Sequence, residues 1–128
     1  MTGPDLDEFD RLVRAAYARL PAEFRALCGN VVIHVAQEAE PDILADLGID
    51  DPLELTGLFE GVAFGEAEDA LPNHVHLYRR PILAECAEEG IDLKELVTHV
   101  LVHEIGHHFG LSDEDMHAIE EAAADEPE

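Results

Sequence analysis

The side chains best suited to chemistry in this sequence are concentrated between positions 98 and 117. This stretch, THVLVHEIGHHFGLSDEDMH, holds five of the eight histidines of the chain. Within it, His103, Glu104 and His107 form an H-E-x-x-H pattern. Four residues turn a helix by about 400° and raise it by about 6 Å, so both imidazoles would project from one stripe and could bind one metal ion. Glu104 would flank that stripe, within reach of a water on the metal and without binding the metal itself.

A tetrahedral catalytic zinc needs a third protein ligand besides two imidazoles, and one open position. Gly110 can adopt a positive φ at low cost, which would end the helix and fold the chain back. Asp113, three residues later, could then offer a carboxylate to the same ion. The pattern HExxHxxGxxD therefore predicts one Zn²⁺ ion bound by His103, His107 and Asp113, although two histidines and a carboxylate also suit iron and other divalent metals.

Two glutamates and another histidine lie close enough to this pattern to be considered as ligands. Glu120 and Glu121 follow on the next predicted helix, and either could replace Asp113. His99 lies one turn before His103 on the same stripe, but no glutamate follows it at the offset that the pattern requires. We therefore expect His99 to be a core or supporting histidine.

The remaining candidates in this stretch are expected to have roles other than metal binding. His108 points well over 100° away from His103 and follows Glu104 by four residues, where it could contact that carboxylate. His117 is expected on the surface. Met116 comes too soon after the pattern to form a methionine-containing turn beneath a metal, so we expect it to pack in the core.

Hydrophobic periodicity predicts where these residues lie in the fold. It predicts helices over 4–20, 81–90 and 91–110, strands over 30–38, 53–64 and 74–80, an irregular or short helical segment over 41–52, an acidic loop over 65–73, and a last helix from 112 that frays into a disordered acidic tail at about 122–128. Strand 74–80 would expose His74 and His76 on its polar face. Tyr78 could donate to an oxyanion, although a packed strand aromatic is the commoner role.

The stretch HEIGHHFGLSD resembles the zincin metallopeptidases, in the variant with aspartate as third ligand. With the longer stretch THVLVHEIGHHFGLSDEDMHAIE and the preceding HVHLYRRPI, most of the chain resembles a bacterial family of minimal zincin-like zinc metallopeptidases. The resemblance implies zinc at His103, His107 and Asp113, with Glu104 as general base. It also implies a minimal zincin-like α+β fold. In that fold a small mixed sheet of about three to four strands packs on the active-site helix, with an N-terminal helix and a short C-terminal helix.

These observations predict a zinc-dependent metallopeptidase that acts on a peptide or protein substrate. Glu104 would take a proton from a metal-activated water, and strand 74–80 would be a sheet edge that pairs with an extended peptide. An alternative is a catalytically weak or inactive zinc-binding module with a structural or partner-binding role, since a small chain leaves little room for a substrate cleft. A third hypothesis is an interaction protein whose acidic surface binds a basic partner.

Composition limits the partners of the chain. Thirty acidic residues against seven basic ones give a net charge of −23, which disfavours nucleic acid and anionic membrane surfaces as partners. The 128 residues suit one domain over 1–128, and we expect a monomer. No apolar run approaches a membrane span of about 18 residues and no signal peptide is evident, so a cytoplasmic location is expected. Cys28 and Cys86 are expected to be reduced.

Overall fold

The computed structural model describes residues 3–60 and 73–124, and its elements are those of an α+β protein. The elements are α1 (Leu6–Ala18), α2 (Ala22–Cys28), β1 (Val31–Ala36), α3 (Pro41–Leu47), β2 (Gly57–Glu60), β3 (Asn73–Tyr78), α4 (Arg79–Glu89), α5 (Leu93–His108) and α6 (Asp113–Ala124), with a short 3₁₀ turn at Pro52–Glu54 before β2. The predicted fold class is confirmed, including the N-terminal helix and the short C-terminal helix. Within these ranges, no helix combines the length and the apolar composition that crossing a membrane requires.

The three strands form a small mixed sheet in the order β1–β3–β2. β3 runs parallel to β1 and antiparallel to β2, so both of its edges are paired. The prediction that strand 74–80 is a sheet edge open to a peptide is therefore wrong. Its alternation of apolar and polar residues reflects the two faces of the sheet, since Val75 and Leu77 are fully buried on the face toward α5.

Helix α5 is the central element of the core. Asp92 caps it by accepting a hydrogen bond from the backbone N–H of Glu95 at 3.3 Å. Its buried residues are Leu96, Val97, Val100, Leu101, Val102, Ile105 and Gly106. They pack in one cluster with α1, the inner face of the sheet and α6. Because so much of α5 is buried, the polar side chains that it carries are held on a rigid support.

Several element boundaries differ from those expected from sequence. α4 begins at Arg79, two residues before Pro81, because the first turn of a helix has no intrahelical N–H bonds for a proline to remove. Of the predicted strand 53–64, only Gly57–Glu60 is observed as strand, and the first residues of the prediction lie in the 3₁₀ turn. Residues 61–64, most of the predicted acidic loop and the last residues of the tail lie outside the described ranges. α6 continues to Ala124, so its last turn replaces the start of the predicted tail. Cys28 and Cys86 are both free thiols, as expected.

Candidate metal centre

The two histidines of the H-E-x-x-H pattern lie one turn apart on α5, as their spacing requires. The ring centroids of His103 and His107 are 5.4 Å apart and their planes are nearly perpendicular, at 83°. His103 is half-buried, whereas His107 is exposed near the C-terminal end of the helix. The predicted stripe of imidazoles is therefore present, and it lies on the partly exposed side of a helix whose large apolar residues are mostly buried.

Glu104 lies between this stripe and strand β2. A Cβ atom placed on Gly57 would lie 3.4 Å from Cγ of Glu104 and 2.7 Å from Cγ1 of Val100, so the absence of a side chain at Gly57 lets β2 approach α5 closely. Burial raises the pKa of Glu104, and the neighbouring His107 acts in the opposite direction. A half-buried carboxyl group with a raised pKa is better suited than an ordinary glutamate to accept and return a proton.

Two glycines bring α6 back against α5. Gly110 has a φ of +75°, and the backbone N–H of Leu111 donates to the carbonyl of Gly106 at 2.9 Å, which closes the end of α5 in a left-handed turn. The prediction that Gly110 ends the helix is confirmed. Gly106 has a separate role, since a Cβ atom there would lie 2.5 Å from Sδ of Met116. The close contact of the two helices thus depends on a glycine inside the H-E-x-x-H pattern.

The carboxylate predicted as third ligand lies at the start of α6. Asp113 is the first residue of that helix and is exposed. Ser112, just before it, accepts a hydrogen bond at Oγ from the backbone N–H of Asp115 at 3.0 Å. Burial and the neighbouring His99 lower the pKa of His103, and the charge of Asp113 opposes this shift less than that of Glu120 does. The role of Asp113 as a metal ligand stays a prediction.

A different carboxylate, that of Glu120, contacts the imidazole stripe directly. Oε1 of Glu120 lies 3.0 Å from Nδ1 of His99, and its Oε2 lies 3.3 Å from Nε2 of His103. The possible ligand atoms of these three residues all lie within 4.8 Å of one another, and over 3–60 and 73–124 this is the one such group of three. We call these three residues, His99, His103 and Glu120, the helix cluster. His107 and Asp113 lie outside it.

The sequence pattern favoured Asp113 over Glu120 as the carboxylate beside the histidines. Glu120 comes one turn after Met116 on α6, and Met116 is fully buried against α5. A carboxylate four residues after such a contact projects along the same side of the helix. The signal was therefore the position of Glu120 relative to the apolar face of α6. His99, expected in the core or in support of the site, is exposed and therefore not in the core, and its Nδ1 lies 3.0 Å from Oε1 of Glu120.

The other candidate residues pack against or pair with side chains outside the helix cluster. His108 packs on Phe59 of β2, with ring centroids 4.5 Å apart. His117 lies on the surface, as expected, 3.3 Å from the carboxylate of Glu121. Tyr78 is 3% exposed and packs with Leu44, on the face of the sheet opposite to α5, so its role is that of a packed strand aromatic. Met116 is in the core, as predicted.

A second group of imidazoles lies on that opposite face of the sheet. We call it the sheet cluster: His34, His74, His76 and Glu60. Nε2 of His34 lies 2.9 Å from Nδ1 of His74, and Nε2 of His76 lies 2.8 Å from Oε1 of Glu60. Burial lowers the pKa of His34, and the neighbouring His76 and His74 lower it further. His74 and His76 were expected on an exposed strand face, but both are half-buried and stack on His34.

The donor atoms along α5 and α6 suit zinc. Imidazole nitrogen and carboxylate oxygen are the ligands that zinc takes in catalytic sites, commonly as two histidines and one carboxylate. The helix cluster already places two imidazoles and one carboxylate near a common point. His107 lies on the same side of α5 as His103, and Asp113 lies at the start of α6, so both add donors of the same chemistry. The types of donor present on these two helices therefore fit a zinc ion.

Comparison with known proteins agrees with this chemistry. A family model described as zincin-like metallopeptidase matches residues 28–123. The chain is also similar to the solved structure of a conserved hypothetical protein from Thermo thermophilus, with 27% sequence identity and a TM-score of 0.54 over 82% of this chain and 94% of that chain. Among curated proteins, none matches this sequence. Because the family model covers more than half of the chain, including the whole motif from His103 to Asp113, the chain belongs to the zincin-like metallopeptidase family.

Proposed function

We propose that this chain is a zinc-dependent metallopeptidase in which His103, His107 and Asp113 hold one zinc ion and Glu104 is the general base. The observation that carries the proposal is the position of Glu104, a half-buried carboxyl with a raised pKa that flanks the imidazole stripe. Zinc binding is implied by the family. When bound, zinc would lower the pKa of water and polarise the carbonyl of the scissile bond.

The proton transfers would be carried out by Glu104. Its carboxylate would accept a proton from the attacking water and later give that proton to the leaving amine. Partial burial between α5 and β2 raises its proton affinity, and the imidazole of His107 limits that rise. The same carboxyl group can therefore act first as base and then as acid.

The strand best placed to bind a peptide backbone is β2. Within the described ranges, β2 pairs with β3 on one side and has no partner strand on the other. It also lies against α5 at Gly57, beside Glu104. An extended peptide that added to the outer edge of β2 would bring its backbone next to the general base. This assignment takes the place of the edge first expected for strand 74–80.

The test is a comparison of two variants, Glu104→Gln and Glu121→Gln, on a mixed peptide substrate. We expect Glu104→Gln to lower the rate of hydrolysis by about 10²- to 10⁴-fold, because general-base catalysis contributes an effect of that size, and to leave the zinc content unchanged. Glu121→Gln removes an exposed carboxylate from α6 and is expected to leave the rate unchanged.

Undiminished hydrolysis in Glu104→Gln would contradict the assigned base. Zinc binding without hydrolysis in the unmodified chain would favour the alternative function, a zinc-binding module with a structural or partner-binding role.

A further inference from the structure

The contact between α5 and α6 carries donors that the proposed function does not use. His99 and Glu120 are not among the three proposed zinc ligands, yet both face His103. We propose that His99, His103 and Glu120, the helix cluster, form a second cation-binding position that takes a divalent transition metal and shares His103 with the proposed catalytic position. This position would bind metal whether or not the chain hydrolyses peptides.

The distances within the helix cluster are close to those that a metal requires. Ligand atoms at about 2.0–2.1 Å from a tetrahedral zinc are roughly 3.3–3.4 Å from one another. Glu120 contacts the two imidazoles through different oxygens, since Oε1 lies 3.0 Å from Nδ1 of His99 and Oε2 lies 3.3 Å from Nε2 of His103. One nitrogen from each imidazole and one carboxylate oxygen all lie within 4.8 Å of one another. Bringing them to the tetrahedral separation takes at most about 1.5 Å of closure.

The hydrogen bond of the helix cluster marks where a cation would replace a proton. Nδ1 of His99 must carry a hydrogen in order to donate to Oε1 of Glu120, and Nε2 of His103 lies 3.3 Å from Oε2 of the same carboxylate. A metal ligand has to present a lone pair instead, so metal binding would release the proton of His99 and keep the carboxylate in place as the third donor. The exchange leaves all three side chains with a partner.

The helix cluster is both anchored and accessible. The side chain of Glu120 is only 22% exposed, and α6 is fixed by the burial of Met116 against Gly106. A groove of about 640 Å³ opens beside it, and its lining includes Glu120, Thr98 and His117. Because the side chain of His99 is itself 46% exposed, a cation can reach the helix cluster from solvent, and a water molecule can fill the fourth ligand position. The net charge of −23 favours the approach of cations.

The second position would compete with the catalytic one. The single lone pair on Nε2 of His103 can bind only one ion at a time. His99 and Glu104 are five residues apart, which places them about 140° apart around α5. A metal ion bound next to His99 would therefore lie on a different side of α5 from the general base, Glu104.

The experiment isolates the second position by removing the first. The full chain carrying H107Q and D113N lacks two of the three proposed catalytic ligands, and both residues are exposed. Titrated with Co²⁺ and followed by the absorption of the bound ion, this variant is expected to bind one Co²⁺ per chain. Adding Glu120→Gln should raise the dissociation constant for Co²⁺ by about tenfold or more. His99→Gln, in the same background, should have the same effect.

Glu121→Gln is the matched control. Glu121 is the next residue on α6, but its side chain is 69% exposed and pairs with His117. In the H107Q/D113N chain this change is expected to alter the Co²⁺ dissociation constant by less than about twofold. The proposal is overturned if the H107Q/D113N chain binds no Co²⁺, or if Glu120→Gln and His99→Gln bind it as tightly as Glu121→Gln.

Failure of this inference can be told apart from failure of the proposed function. An unmodified chain that hydrolyses peptides, combined with equal Co²⁺ binding by the Glu120→Gln and Glu121→Gln variants, would overturn the second position alone. A chain that binds Co²⁺ through Glu120 and cleaves no peptide would overturn the proposed function alone.

Discussion

The helix cluster and the sheet cluster both combine imidazoles with a glutamate, but the contacts that their ring nitrogens make are different. In the sheet cluster, His34 bonds to His74 at 2.9 Å and stacks on His76 with ring centroids 4.6 Å apart. In the helix cluster, one carboxylate contacts two imidazole nitrogens. Only the helix cluster, among residues that the structure describes, brings three ligand atoms within 4.8 Å of one another.

The difference shows that several neighbouring histidines do not by themselves bring three possible ligand atoms within 4.8 Å of one another. In the sheet cluster the ring nitrogens of two histidines bond to each other, and burial and neighbouring imidazoles favour the neutral form of His34. On α5 the i,i+4 spacing aligns the rings along one stripe, and a separate helix supplies the carboxylate. The sheet cluster also joins residues of three strands, so what distinguishes the helix cluster is one carboxylate that lies against both imidazoles of an i,i+4 pair.

The largest expected effect comes from removing the imidazole that both proposed metal positions share. We expect His103→Gln to weaken zinc binding by more than about 100-fold, since loss of a ligand should exceed the 10- to 100-fold cost of losing an outer partner. His76→Gln, the corresponding change in the sheet cluster, is expected to leave zinc binding within about twofold of the unmodified chain. Competition with a chromogenic chelator measures both affinities. Equal losses of zinc affinity in the two variants would show that the two clusters do not differ in zinc binding.

A smaller effect is expected from disturbing the contact that holds the helix cluster together. Gly106→Ala would place a Cβ atom 2.5 Å from Sδ of Met116, a fully buried side chain. Overpacking of this kind costs about 1–3 kcal/mol of the free energy of unfolding, which urea denaturation measures. In a chain that also carries Met116→Ala, the added cost of Gly106→Ala should be smaller. An unchanged cost in that background would mean that the two residues do not clash.

The smallest effect is expected in the sheet cluster. Glu60→Gln removes the carboxylate that lies 2.8 Å from Nε2 of His76, but the side chain of Glu60 is 59% exposed. An exposed pair contributes less than about 1 kcal/mol, so the free energy of unfolding should hardly change. Zinc content should not change either. Loss of zinc in this variant would show that the sheet cluster binds metal.

The local parts of the site could be predicted from the sequence. The spacing of His103, Glu104 and His107 defined the stripe, and Gly110 marked the end of α5. These features depend on helix geometry and on backbone conformation, which a short stretch of sequence determines. The α+β class and the small mixed sheet were predicted through the family resemblance and are confirmed.

The parts that depend on distant contacts could not be predicted. β3 pairs on both edges because β1 and β2 flank it, and alternation within 74–80 does not distinguish a central strand from an edge. Glu120 reaches His99 and His103 because Met116 packs onto Gly106, and that packing is decided by shape across two helices. The roles proposed for His107 and Asp113 stay predictions.

Removal of the metal tests whether zinc bound on α5 drives peptide hydrolysis. We expect chelator-treated protein to hydrolyse a mixed peptide substrate no faster than buffer does, and one equivalent of zinc to restore the rate. The variant H34Q/H74Q/H76Q, which removes the imidazoles of the sheet cluster, should behave in the same way as the unmodified chain. Hydrolysis that persists after zinc has been removed would contradict the claim.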